Sequence, residues 1–490
     1  MPARPWGRPG RWLAVAAATL TVAGGGLVWA ESWLPASYSM TSMGYPDYGG
    51  GPSPEPGMEG HGHLGAGTDI TELAPDPSRP ADVEVDLVAR AGAVSLPGVP
   101  QFQGYTLNGT TPGPTIRARE GDLVQVRVRN ENVADGMTLH WHGVEVPNAM
   151  DGVAGVTQDA IPPGGEFTYR FVAQPGTYWY HSHQVPHPQV TGGLLGALIV
   201  DARDADPGVL DVPALVHFYG GVRTINGAPG DVGQPAAPGT TVRVRITNTD
   251  PGPMPVWVSG APFRVVAVDG SDVNGPQPVE GLAVLVTAGA RVDLELLVPD
   301  GGARVQFAGA SLAIGGDDAP SGRAPREFVD LLNYGLPLPL AFDPDRPDRT
   351  FDYRIGRGFG LLDGVPGNWW TINGGLYPDV PMFMVRTGEV VRFRVANESG
   401  EVHPMHLHGH HLLVVARDGV RATGSPWLVD SLNVADGETY ELAMVADNPG
   451  IWMDHCHNLP HAAEGLMTHL AYEGYSTPFL VGGDAGNRRE

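Results

Sequence analysis

Thr371-Ile372-Asn373-Gly374, followed by Val391-Arg392-Phe393-Arg394-Val395-Ala396-Asn397, is a tight turn and then a strand in which apolar and polar residues alternate. The same pairing occurs twice earlier. Thr106-Leu107-Asn108-Gly109 precedes Val124-Gln125-Val126-Arg127-Val128-Arg129-Asn130, and Thr224-Ile225-Asn226-Gly227 precedes Val242-Arg243-Val244-Arg245-Ile246-Thr247-Asn248. Three copies of one turn-plus-strand unit predict three related β-domains. The expected fold is all-β, with domains at 82–207, 208–345 and 346–482. The junctions fall near 205–212 and 340–350, where Asp, Pro and Arg cluster, as in Asp343-Pro344-Asp345-Arg346-Pro347.

Length and composition agree. A chain of 490 residues suits about three domains at roughly 150 residues each. With 69 Gly, 47 Pro and only 17% charged residues, it has the makings of many short strands joined by turns. The net charge of -24 argues against a nucleic-acid partner and favours an acidic, solvated exterior. Arg4, Arg8 and Arg11 precede an apolar run from Trp12 to Trp29, so residues 1–30 read as an export leader or as a membrane anchor through 12–29. Residues 31–81 read as a disordered Gly/Pro/Met linker in which Met40, Met43, Met58, His61 and His63 are scattered, and 483–490 as a tail. Thioethers and imidazoles bind copper, so the linker is also a candidate copper-capturing segment. The single cysteine, Cys456, rules out an intrachain disulfide.

That cysteine and ten histidines fall into four short clusters: His140-Trp141-His142, His181-Ser182-His183, His403 with His406-Leu407-His408, and His455-Cys456-His457 with His461. The repeat puts His140/His142 and His406/His408 in equivalent places, where the middle copy has Trp257-Val258-Ser259. The outer domains therefore carry the metal-binding residues and the middle one reads as a spacer. Ser182 stands where Cys456 stands, so a thiolate site belongs to the third domain alone.

Side chains alternate along a strand, so each His-x-His pair presents two imidazoles to one side and Cys456 points away from His455 and His457. Two sites result. One gathers His403, Cys456 and His461, the two-nitrogen, one-thiolate set of a blue-copper centre. The other gathers eight imidazoles, too many for one metal and suited to a cluster of about three. A lone Cys with two single histidines is not a closed structural zinc set. The remaining histidines, His61, His63, His187, His217, His410, His411 and His469, read as structural. Met382, Met384 and Met405 read as core filler.

On these residues the chain resembles the three-domain multicopper oxidases, the laccase and cuprous oxidase family, over about residues 82–480. The resemblance implies three cupredoxin-like Greek-key domains and about four copper ions. It assigns His403, Cys456 and His461 to a type 1 copper, and His140 and His406 to a type 2 copper. His142, His181, His183, His408, His455 and His457 go to a binuclear type 3 pair. It implies that Leu466, ten residues after Cys456, takes the axial position, and that Asp151 is a catalytic carboxylate serving proton delivery. The position of a second family acid is Ala462 here, with Glu464 displaced from it.

The implied reaction couples four one-electron oxidations to reduction of dioxygen to water. Electrons enter at the type 1 copper and pass through Cys456 to His455 and His457. The expected donors are phenols, aromatic amines or cuprous ion, with a dedicated cuprous oxidase for copper tolerance as the alternative. A copper nitrite reductase needs only two kinds of mononuclear site, which four His-x-His pairs argue against. A non-catalytic relative would lack ligands, and none of the eleven is missing.

Overall fold

Asn108, Asn226 and Asn373 turn the chain in the left-handed region, at φ of 55°, 52° and 53°. Each caps its own hairpin in the same way. The side-chain oxygen accepts from the N–H of Val88, Leu215 or Arg354 at 2.7, 3.0 and 2.9 Å. The amide nitrogen donates to the carbonyl of Asp86, Pro213 or Asp352 at 2.8, 2.8 and 2.7 Å. The Asn ending each alternating strand is likewise a buried brace. Asn130, Asn248 and Asn397 donate to the carbonyls of Ile161, Val286 and Val434 at 2.8, 2.9 and 2.9 Å. The sequence repeat is thus a repeat of hydrogen-bonded corners.

The computed structural model describes residues 24, 26, 27, 29, 30, 32–52 and 67–488. In each repeat the first strand runs parallel to the alternating one: Val83–Val94 with Leu123–Asn130, Leu210–Tyr219 with Thr241–Asn248, and Arg349–Leu362 with Val390–Asn397. This is the crossed connection of a Greek-key sandwich rather than a meander. Two sheets form each unit, and the fold is all-β apart from a few short helices. Val124, Val126 and Val128, and likewise Val391, Phe393 and Val395, are buried, while the intervening Gln125, Arg127, Arg392 and Arg394 are wholly or partly exposed, as the period-two pattern requires.

Residues 31–81 were expected to be disordered, and where they are described they are not. Ser37–Tyr38 pairs with Val481–Gly482, Tyr45–Asp47 adds in parallel to Pro381–Val385, and Thr68–Asp69 pairs with Tyr475–Ser476. Composition hides this because a few anchors, Tyr38, Met40 and Ile70, supply the buried surface. The open edge of the third unit supplies the backbone partners. Met40 packs with Tyr377, whose hydroxyl lies 3.7 Å from its sulfur, so it serves the interface. Met58, His61 and His63 lie outside the described residues.

The 483–490 tail is also tied down where described. Ala160 N–H donates to Asn487 Oδ1 at 2.7 Å, and Asn487 Nδ2 donates to Asp159 at 2.8 Å. Most of the leader lies outside the described residues, although Trp29 Nε1 donates to the Gly364 carbonyl at 3.0 Å. No helix among the described residues is long and apolar enough to cross a membrane.

Candidate metal centre

Cys456 ends the strand Ile451–Cys456, which runs antiparallel to His403–Leu407 with Met405 opposite Cys456 and His406 opposite His455. Opposed residues share a face and successive ones alternate. Cys456 therefore shares a side with His403, and His455 shares the other with His406. The short helix Leu459–Ala463 then returns His461 to the sulfur. Cys456 Sγ lies 3.6 Å from His403 Nδ1 and 3.7 Å from His461 Nδ1, and those nitrogens are 3.2 Å apart. A point equidistant from three such atoms is roughly 2 Å from each, a transition-metal bond length. The loop is closed by Cys456 N–H donating to the Leu466 carbonyl at 3.1 Å. Met467 stands opposite His455, which puts it on the imidazole side and leaves Leu466 on the side of the sulfur.

The other eight imidazoles meet between the first and third units. His181 stands opposite His140 across one strand pair, as His455 does opposite His406 in the other. The two units interleave their rings. His140 stacks on His408 at 3.8 Å and His142 on His406 at 3.7 Å, while His183 meets His455 at 5.2 Å and His181 meets His457 at 5.5 Å. Ligand atoms of His183, His408 and His455 lie within 4.8 Å of one another. The rings of His142, His181 and His457 are 4.9 to 5.7 Å apart. His406 Nε2 approaches His140 Nε2 to 3.4 Å.

Outer partners hold one nitrogen of most rings and leave the other facing inward. Nδ1 donates to the Asp151 carbonyl from His140 (2.9 Å), to the Asp430 carbonyl from His406 (2.9 Å), to Asp151 Oδ2 from His408 (3.0 Å) and to the Ser182 carbonyl from His181 (3.0 Å). His142 is reversed: Nε2 meets Ser431 Oγ at 3.0 Å and Asp430 Oδ1 at 3.2 Å. Among the described residues, His142 Nδ1, His181 Nε2 and His457 Nε2 are buried without a hydrogen-bond partner. Fixing one nitrogen by an outer hydrogen bond is what a metal-ligating histidine requires.

Burial first, and then neighbouring imidazoles, hold His142, His181, His183, His408 and His457 well below the ordinary value of 6.5. His406 is lowered to about 4 and His403 to about 3, again chiefly by burial. These rings stay neutral and keep their lone pairs, so the donor set fits a metal.

The structure brings His403, Cys456 and His461 together at one place and the other eight histidines at a second, with Asp151 buried against the larger group. Sequence reading missed the support behind them. Asp430 touches His142 and His406, and it takes two hydrogen bonds from Arg291, at 2.7 and 2.6 Å. Arg291 comes from the middle unit, which was expected to be only a spacer, and it is wholly buried. One glycine makes room for Arg291 and another for the imidazole beside it. A Cβ at Gly143 would lie 2.0 Å from Arg291 Nη2, and one at Gly289 would lie 2.8 Å from the His142 ring. Burial pushes Asp430 up, but Arg291 and the bonds from His142 and His406 overcome this and hold it well below the ordinary carboxylate value. Burial and then the charge of Asp430 raise Asp269 to about 7.

At the rim of this network His411 meets Glu145 at 2.9 Å and Asp430 at 3.4 Å. Burial lowers its pKa, but Glu145 and Asp430 together outweigh that and raise it to about 9 from 6.5. A base raised in the folded state contributes its full stabilisation below 6.5 and loses it as pH climbs through 9. The thermal midpoint of His411→Gln should therefore fall below that of the native chain near pH 6, with the gap closing by about pH 9. A gap that widens with pH contradicts this ion pair.

Around the sulfur site, Trp370 lies against His461 and His403, with ring centroids 4.4 and 4.7 Å away. Arg357 covers Trp370 at 3.6 Å and donates to Glu401 at 2.6 Å. Glu401 Oε2 is 3.5 Å from His461 Nε2, and the Asn458 amide is 3.0 Å from the same nitrogen. Glu464 accepts from Trp370 Nε1 at 2.9 Å, and it sits here rather than in the histidine chamber.

Comparison with known proteins agrees with this arrangement. The multicopper oxidase family patterns match residues 89–205 and 357–474. The chain is 29% identical over 489 residues to multicopper oxidase MmcO of Mycobacterium tuberculosis, covering 85% of this chain and 92% of that one. It is 28% identical over 457 residues to laccase-1 of Botryotinia fuckeliana, covering 78% and 80%. The crystal structure of a multi-copper oxidase from Pseudomonas thermotolerans superposes with a TM-score of 0.65 at 28% identity, covering 79% of this chain and 98% of that one. The chain belongs to the multicopper oxidase family and is, with it, a copper-binding oxidoreductase.

Proposed function

We propose that His403, Cys456 and His461 hold a type 1 copper, His140 and His406 a type 2 copper, and His142, His181, His183, His408, His455 and His457 a type 3 pair. One observation carries this reading. The sulfur of Cys456 faces two imidazoles at 3.6 and 3.7 Å while its two chain neighbours face the opposite chamber. Copper bound there supplies one-electron chemistry, drawing four electrons from donors and passing them to dioxygen, which leaves as water.

The chain's residues set the rest. The partly exposed edge of His461 is where a donor approaches. Glu401 Oε2, 3.5 Å from His461 Nε2, accepts the hydroxyl proton of a phenol or the N–H of an aromatic amine. Its ion pair with Arg357 neutralises it, which suits a neutral aromatic donor better than a cation. Met382, Met384 and Met405 are buried, so none of these thioethers stands open at this edge. Cuprous ion is the competing donor, and it would meet the same carboxylate and imidazole at this edge. Export of the chain follows from its basic and apolar N-terminal segment. Asp151 keeps His408 in place through Oδ2 and holds a buried carboxylate oxygen, Oδ1, 3.1 Å from His140 Nδ1, where it takes up and releases protons.

Copper content, visible absorption and oxygen uptake test the reading together. The loaded chain is expected to carry about four coppers, absorb intensely in the blue-copper band and consume oxygen faster with a methoxyphenol than with cuprous ion. Fully loaded protein that consumes none with either donor overturns it. Asp151→Asn should cut oxygen uptake roughly 10–100-fold, the usual cost of an outer-sphere partner, with the blue band unchanged. Undiminished uptake would remove Asp151 from the mechanism.

A further inference from the structure

The two copper centres leave unused a set of soft side chains on the chamber-facing side of the same sheet. His469 lies on the strand Met467–Tyr472, directly opposite Met453 on the antiparallel strand Ile451–Cys456. On its other side it is opposite Met382 on the parallel strand Pro381–Val385. Neighbouring strands run about 4.8 Å apart, so a flexible thioether chain flanks the imidazole on each side. Met382, Met384 and Ala471 pack together as one buried cluster, as expected for residues that register and alternation put on the face of His469. Tyr48, just past the short strand Tyr45–Asp47, packs against that cluster.

His469 is only 6% exposed, and its Nε2 is buried without a hydrogen-bond partner. Buried polar atoms are nearly always satisfied, and an exception calls for an explanation. The neighbouring side chains offer sulfur, a weak hydrogen-bond acceptor but a good soft ligand. We infer that Met382, His469 and Met453 form a binding site for one cuprous ion, distinct from the eleven residues of the two copper centres. Two thioethers and an imidazole select a soft monovalent ion over zinc, calcium or magnesium. The site adjoins the cluster, because Met467 shares the face of His469 and stands opposite His455.

Silver(I), a redox-inert substitute for cuprous ion, tests this on the copper-loaded protein. The native chain is titrated alongside Met382→Leu/Met453→Leu and His469→Gln, and silver-edge X-ray absorption reads the ligands. The native chain is expected to bind one silver ion more than the double variant, with sulfur in its ligand shell. His469→Gln should weaken that site by more than the roughly 10–100-fold that an outer-sphere partner is worth. The blue absorption of each variant reports that it has folded. If the double variant loses that absorption, His469→Gln carries the same comparison. Equal silver uptake by native and variant chains, or a native shell of nitrogen and oxygen alone, overturns the site.

Discussion

Cys456→Ser abolishes the blue absorption and lowers oxygen uptake by more than the roughly 10–100-fold that an outer-sphere partner costs. The sulfur is the only thiolate in the chain and lies between His403 Nδ1 and His461 Nδ1. A hydroxyl in its place cannot give sulfur-to-metal charge transfer, and it breaks the route from the His461 edge to His455 and His457. The fold survives, because serine is close in size and its hydroxyl can donate to one imidazole while accepting from the other. Copper analysis should find one equivalent lost and the eight-imidazole chamber still loaded. Retained colour would show that another group binds the blue copper.

Arg291→Met destabilises the chain by about 3–5 kcal/mol, the cost of stripping one partner from a buried ion pair. Arg291 is fully buried and makes both of its short bonds to Asp430, which would be left as an uncompensated charge against His142 and His406. The neighbouring carboxylate of Asp269, 3.5 Å from the guanidinium, worsens the repulsion. Denaturant unfolding of the copper-free chain measures this directly, and Arg291→Met/Asp430→Leu should recover much of the loss. A single-variant loss below about 1 kcal/mol would mean that the pair is as weak as a surface bridge.

Much of this was legible in the sequence because it rests on period-two alternation. Asn108, Asn226 and Asn373 mark equivalent corners, and the His-x-His spacing sets which imidazoles share a face. Support arriving from far along the chain was not legible. Asp430 and Arg291 meet across 139 positions, and no local spacing announces either. The middle unit lacks a His-x-His pair and so reads as a spacer, yet its chain supplies the charge behind the chamber. Residues 31–81 misled for a different reason. Their Gly and Pro content is that of a linker, while the described ones take their order from pairing with the third unit's strands. His411 and His469 both read as structural from sequence alone. One sits in an ion-pair network, and the other has an unsatisfied ring nitrogen on a strand flanked by Met382 and Met453.

Anomalous diffraction at the copper edge, from crystals of the loaded protein, reaches the division of labour around Cys456 most directly. One peak is expected among His403, Cys456 and His461, with a separate group of three enclosed by the eight paired imidazoles. A single peak bound at once by His455, Cys456 and His457 would contradict the account.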